Sequence, residues 1–364
     1  MDPRVYEHAE IIVDHSTSIE QGDNIVIRAH PTAEELVIAL HELIGERGGV
    51  PLTSYADPRF HRAYLQHSDI DGLELADHML ASMEETDVFI GIRGGVNLFE
   101  TADVPPEMSM AYGKVQEPIL NTRLQRTRWV GTQHPAPDAA QAAQMSIDAY
   151  AEFVYDAVTK DWDAQREHQQ QLVDILNDGR EIRIESGDET DLSMSIDEMI
   201  AINDFARHNL PGGEVFTAPV PDSTEGTVLF DMPLIAHGRE IEGAYLEFEA
   251  GEVVNHSAAK NEELLTAVLD TDDGARRLGE LGVGMNRDID RFTYNMLFDE
   301  KMGDTVHLAI GRAYDDNVPE GVEPNQSAIH LDMIVDMSED SLIEVDGEVI
   351  QRDGRFSFES GFEA

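Results

Sequence analysis

Two histidines, two glutamates and an aspartate in the second half of this 364-residue chain stand where polar side chains are unfavourable unless they do something. In SAIHLDMIVDM, residues 327–337, Ile329, Leu331, Met333, Val335 and Met337 alternate along one apolar side of a β-strand. His330 and Asp332 share the other side, about 7 Å apart at two residues of rise. In DEKMGDTVHLAIGRAY, 299–314, His307 interrupts a second apolar strand and Tyr314 follows it. In LGELGVGMN, 278–286, Glu280 lies among leucines and glycines, where a charge is unfavourable unless paired or bound to a metal. In NLPGGEVFTAPVPDSTEG, 209–226, a Pro-Gly-Gly turn presents Glu214 at the start of a short strand.

Each of these has a plain structural reading. A polar strand face can meet water, a strand histidine can be a satisfied core group, and Glu280 can cap a turn. Taken together, two Glu, two His and one Asp are the ligand inventory of a site holding two divalent ions about 3.5–4 Å apart, with a bridging carboxylate. Sequence spacing does not by itself bring them together.

Composition narrows the chemistry. The chain has 73 acidic and 25 basic residues, a net charge of −48, and four lysines, Lys114, Lys160, Lys260 and Lys301. That balance excludes binding to nucleic acid phosphates. Such a surface suits a salt-rich, halophile-like cytoplasm, since molar salt shortens the Debye length to about 3 Å and removes most self-repulsion. With 41% hydrophobic residues in regular periods, the acidity does not signal disorder, and no EF-hand spacing supports a calcium buffer. Cysteine is absent, so a metal must sit on Asp, Glu and His. The segment MDPRVYEHAE lacks the apolar core of a signal peptide, and no stretch approaches 18 apolar residues. The expectation is a cytoplasmic protein with no membrane partner.

Two domains are expected, over 1–165 and 166–364. In the first, short apolar strands at 25–27, 50–54 and 87–92 alternate with helices, a grammar that yields a mostly parallel sheet. The helix after Pro31 has Thr32 with Glu35 as a capping box, a stripe of Leu36, Leu40, Leu43 and Ile44, and Gly48-Gly49 as its stop. Gly91, Gly94 and Gly95 match neither GxGxxG nor the Walker pattern. A long helical stretch over 139–177 bridges the halves. Beyond it strands are read at 181–185, 227–230, 240–248, 305–310, 327–335 and 342–350, with Asp346-Gly347 as a hairpin turn and one helix over 258–269 capped by Ser257. The second domain is therefore α+β with a largely antiparallel sheet, and it carries the candidate site.

The strings NLPGGEVFTAP, LGELGVGMN, DEKMGDTVHLAIGRAY and SAIHLD, in that order, resemble the motifs of the thermophilic aminopeptidase family, the aminopeptidase T and aminopeptidase S type. The resemblance extends to Arg128-Trp129, to QMSIDAYAEF at 144–153 and to TDL at 190–192. It departs at Leu331, where the family pattern has a tryptophan, and in a shorter segment between His307 and His330. It implies a metallo-exopeptidase that releases N-terminal residues from peptides. Glu214, Glu280, His307, His330 and Asp332 would hold two divalent ions (zinc, cobalt or manganese), and Tyr314 would stand beside them. Either Glu214 or Glu280 would carry the proton to the leaving amine. The partners implied are peptides with a free N-terminus and a second copy in a homodimer. Two other classes stay open: a phosphoesterase-like two-metal hydrolase, for which Arg312 is the nearby cation, and a non-enzymatic acidic metal-binding protein.

Overall fold

In the computed structural model, which describes residues 2–236 and 239–363, the chain forms two compact units. One runs to Lys160 and takes in Ala206–Gly212; the other comprises Asp161–Phe205 and the chain from Gly213 onward. Among the described residues no helix is long and apolar enough to cross a membrane.

The first unit is α/β. Its apolar runs become the strands Asn24–Ala29, Val50–Tyr55 and Val88–Arg93, joined by Arg128–Gln133 and the short Asn209–Leu210. Every neighbouring pair in this five-stranded sheet is parallel, as strand–helix–strand connections require. Leu36, Leu40, Leu43 and Ile44 are the buried stripe of helix Glu34–Arg47, which stops at Gly48 in the left-handed region, φ 78°. Its start differs from the expected box. Thr32 lies inside a 3-10 turn, Pro31–Ala33, and the His30 Nδ1 accepts from the Thr32 amide at 3.2 Å. An imidazole thus replaces the threonine hydroxyl as the cap.

In place of one helix over 139–177 there are three, Pro137–Ala142, Ile147–Val158 and Trp162–Asp178. Ser146 and Asp161 accept amide bonds at the starts of the second and third, so each restart has its own cap.

The second unit is α+β. Its larger sheet has eight strands, ordered Glu252–Ser257, Ala244–Glu249, Glu225–Phe230, Thr190–Ser195, Glu181–Ser186, Ser341–Val345, Glu348–Arg352 and Arg355–Phe356. Asp346 and Gly347 make the expected two-residue turn, with φ of 52° and 81°. The smaller sheet has five antiparallel strands, ordered His330–Asp336, Thr305–Gly311, Leu278–Gly284, Glu214–Thr217 and Ile202–Asp204. One continuous core draws Val228, Phe230 and Leu246 from the larger sheet, Leu281, Val306 and Val335 from the smaller, and Leu172 and Leu176 from helix Trp162–Asp178.

Two expectations shift here. The helix read from 258 begins at Glu262, because Ser257 ends the preceding strand and Asn261, at φ 59°, takes the N-cap position. The run 240–248 divides into Arg239–Ile241 and Ala244–Glu249 around Gly243, whose φ is 57°.

Candidate metal centre

Strand alternation sorts the smaller sheet into two faces. Val306, Leu308 and Ile310 enter the core, so Thr305, His307, Ala309 and Gly311 line the opposite face. Met333 and Val335 likewise enter the core and Leu331 packs against it, which leaves His330 and Asp332 on the His307 side. This strand begins at His330 and not at 327. On Leu278–Gly284 the core residues are Leu278, Leu281 and Val283, a spacing that strict alternation forbids. A register shift between Leu278 and Glu280 resolves it: the extra residue, Gly279, inverts the alternation and turns Glu280 onto the histidine face. Glu280 therefore sits mid-strand and caps no turn. Glu214 pairs across the ladder with Gly284. The turn before it needs glycine twice over, since Gly213 has φ 114° and a Cβ there would stand 2.5 Å from the Asn286 Cβ.

The five candidate ligands meet in two overlapping triads. Glu214, Glu280 and His307 offer atoms within 4.8 Å of one another, and so do Glu280, His330 and Asp332. Glu280 belongs to both. Its Oε1 lies 3.2 Å from His307 Nε2, and its Oε2 lies 3.5 Å from His330 Nε2. Glu214 Oε2 is 3.4 Å from His307 Nε2, and Asp332 Oδ1 is 3.3 Å from His330 Nε2. His330 Nδ1 donates to the Arg312 carbonyl at 2.8 Å, which holds the ring and leaves Nε2 facing the carboxylates. The Tyr314 hydroxyl stands 3.5 Å from the same Nε2.

Burial and charge compete throughout. Burial pushes the Glu214 carboxyl up to about 8, although Lys301 and His307 pull it down. Burial raises Glu280 too, against its bond from His307. For the imidazoles burial opposes the charge, but neighbouring carboxylates outweigh it: His307 rises to about 9 beside Glu280 and Glu214, and His330 to about 10 beside Asp332 and Glu280. Asp332 is held below the ordinary carboxylate range, because His330 and His307 overcome its desolvation. Desolvation at its hydroxyl end, with the charges of Glu280 and Asp332, raises the Tyr314 phenol.

Three further residues hold this cluster, and motif reading passed over all of them. Lys301 is fully buried, with Nζ 3.0 Å from Glu214 Oε1, 3.9 Å from Asp204 Oδ2 and in contact with Glu300. Gln169, also fully buried, donates to the carbonyls of Glu214 at 2.9 Å and Asp204 at 3.1 Å, tying two strands together. Asp204 is the third, on the edge strand opposite Glu214. The signal available for Lys301 was its place directly after two acids, Asp299 and Glu300, just ahead of the His307 strand, in a chain with four lysines.

These residues suit a divalent cation. Glu214 Oε2 and Glu280 Oε2 are buried without a hydrogen-bond partner, and unsatisfied carboxylate oxygens beside imidazole nitrogens are the donors that zinc, cobalt or manganese takes.

Comparison with known proteins agrees with this chemistry. Residues 1–356 match the family described as thermophilic metalloprotease (M29). Aminopeptidase T of Thermus aquaticus is 28% identical over 385 aligned residues, covering 93% of each chain. Aminopeptidase 2 of Geobacillus stearothermophilus is 37% identical over 172 residues, 42% of this chain and 40% of that protein. Among solved structures, wild-type AmpT from Thermus thermophilus shares the fold with a TM-score of 0.86 at 24% identity, over 98% of this chain and 99% of that one. A 2,5-dihydroxypyridine dioxygenase from Pseudomonas putida shares it more loosely, with a TM-score of 0.59 at 15% identity over 99% of both. The chain belongs to the thermophilic metalloprotease family, M29, and is a metallopeptidase.

Proposed function

We propose that the protein is an aminopeptidase that cleaves the first residue from peptides with two divalent ions, one in each triad. The observation that carries this reading is Glu280, whose two oxygens face different histidines and so can bridge two ions. The relatives named aminopeptidase T and aminopeptidase 2 support the exopeptidase part.

Bound ions would polarise the scissile carbonyl and supply a water activated near neutral pH. The protein's own residues do the rest. His330, held by the Arg312 carbonyl, keeps Nε2 turned inward. Tyr314, whose raised pKa keeps the phenol protonated, donates a hydrogen bond toward the oxygen on which negative charge develops. A carboxylate of the centre, Glu214 or Glu280, would take a proton from the attacking water and return it to the leaving amine. A phosphoesterase would need several cations turned to the ions to hold phosphate, whereas Lys301 is buried and engaged by carboxylates and Arg312 is a single, exposed candidate.

Hydrolysis of aminoacyl arylamides, with the α-amine free or acetylated and with metal removed or restored, tests the proposal. Metal-dependent release from the free-amine substrates alone is expected. Equal rates on acetylated substrates would make the protein an endopeptidase or another hydrolase.

A further inference from the structure

Of the four lysines, Lys114 and Lys260 are exposed, Lys160 is half-buried, and Lys301 is fully buried. Withdrawing an ammonium from water costs several kcal/mol unless carboxylates surround it, and here Glu214, Glu300 and Asp204 do so. The backbone fixes where that ammonium stands. The Lys301 amide donates to the Phe298 carbonyl at 2.9 Å, and its own carbonyl accepts from Asn286 at 3.0 Å. The two Glu214 oxygens are then unequal. Oε1 takes the Lys301 bond at 3.0 Å, while Oε2, without a hydrogen-bond partner, is left 3.4 Å from His307 Nε2.

We propose that Lys301 is the positioning residue of the inner metal site, its ammonium turning the Glu214 carboxylate so that Oε2 is the oxygen offered to the ion. The inference rests on the two-metal reading above. It concerns the Glu214, Glu280, His307 triad; among the described residues Lys301 makes no ion pair with Asp332 and acts on it only at longer range, through its charge. Positioning and plain electrostatics predict opposite signs. A nearby positive charge weakens cation binding, so deleting it would tighten the site if charge alone mattered.

Zn²⁺ titrated calorimetrically into the metal-free protein separates the cases, with the visible spectrum of the Co²⁺-loaded protein as a second readout. The wild type is expected to take up two ions. Lys301→Met should keep the outer ion and bind the inner one about 10–100-fold more weakly, the usual effect of losing a residue that orients a ligand, and the Co²⁺ spectrum should lose one component. Glu300→Gln, which leaves the Lys301–Glu214 contact in place, should still bind both. If circular dichroism shows Lys301→Met unfolded, Lys301→Gln is read in its place. Unchanged or tighter inner binding in a folded Lys301 variant overturns the inference while leaving the two-metal reading intact. So does an equal loss in Glu300→Gln, which would assign the effect to the acidic cluster as a whole. A wild type that binds no ion overturns the metal reading itself, and the role of Lys301 with it.

Discussion

Gly282 lies directly opposite His307 across the antiparallel ladder, and the imidazole rests over it: a Cβ at Gly282 would stand 2.0 Å from both Nε2 and Cε1 of His307. The glycine is the floor of the inner triad. Gly282→Ala should therefore push His307 aside, destabilise the unit by about 1–3 kcal/mol through overpacking, and reduce inner-ion binding. Metal content near that of the wild type in a folded Gly282→Ala protein would show that the ring has another place to go.

Glu280 serves both triads, so its loss should differ in kind from the loss of other ligands. Glu280→Ala is expected to lower metal content from two ions to none. His307→Ala and Asp332→Ala should each lose one. Elemental analysis of the purified variants reads this directly, and a single ion retained in Glu280→Ala would deny it the bridging place.

Tyr314→Phe keeps the ring and every candidate ligand and removes one hydroxyl. Metal content should stay unchanged while kcat falls by about 10²–10³, the usual effect of deleting one oxyanion donor. A drop in metal content would instead make the hydroxyl part of the ion's surroundings.

In the first unit, His8 is wholly buried, and burial, with His134 nearby, lowers its pKa from 6.5 to about 3. The Thr132 hydroxyl donates to the Leu210 carbonyl and so accepts from His8 Nε2 at 2.8 Å, while Nδ1 has no hydrogen-bond partner to welcome a proton. Between those two pH values the unfolded chain takes up a proton that the folded chain refuses. Stability thus falls as pH drops, by up to about 1.4 kcal/mol per pH unit from this residue. His8→Gln should flatten the acid limb of the unfolding curve between pH 6 and about 4 by that slope. Parallel limbs for the two proteins would mean that His8 titrates normally in the fold.

The surface supplies a further prediction. With a net charge of −48, the unfolding midpoint should rise from dilute buffer to molar KCl as the repulsion is screened. A midpoint that stays level would show the acidic residues to be spaced or paired well enough not to need salt.

The five candidate ligands were legible because each interrupts an apolar or glycine-rich run, where solvation gives it no reason to be. The sheets were legible from their periods. What stayed hidden depends on register and on long-range approach. The role of Gly282 exists only once it stands opposite His307, and that pairing follows a bulge at Gly279 which no local pattern announces. Lys301 and Asp204 lie 97 residues apart in sequence and meet only where the turn after helix Met296–Asp299 reaches the end of strand Ile202–Asp204. The start of helix Glu34–Arg47 misled for a local reason: the proline at 31 lets His30 reach the Thr32 amide before the threonine can act as cap.

The burial of the two triads is graded, and a gradient imposes an order of traffic. The His330 and Asp332 side chains are 21% and 14% exposed, whereas His307, Glu214 and Glu280 are at 1%, 6% and 6%. On the two-metal reading, an ion bound for the more buried triad would pass the more exposed outer one first. Loading would then run as a stack, with the ion that enters last the first to leave. A chelator should strip the protein in two kinetic phases, and isotopic zinc should exchange into the outer position long before it reaches the inner.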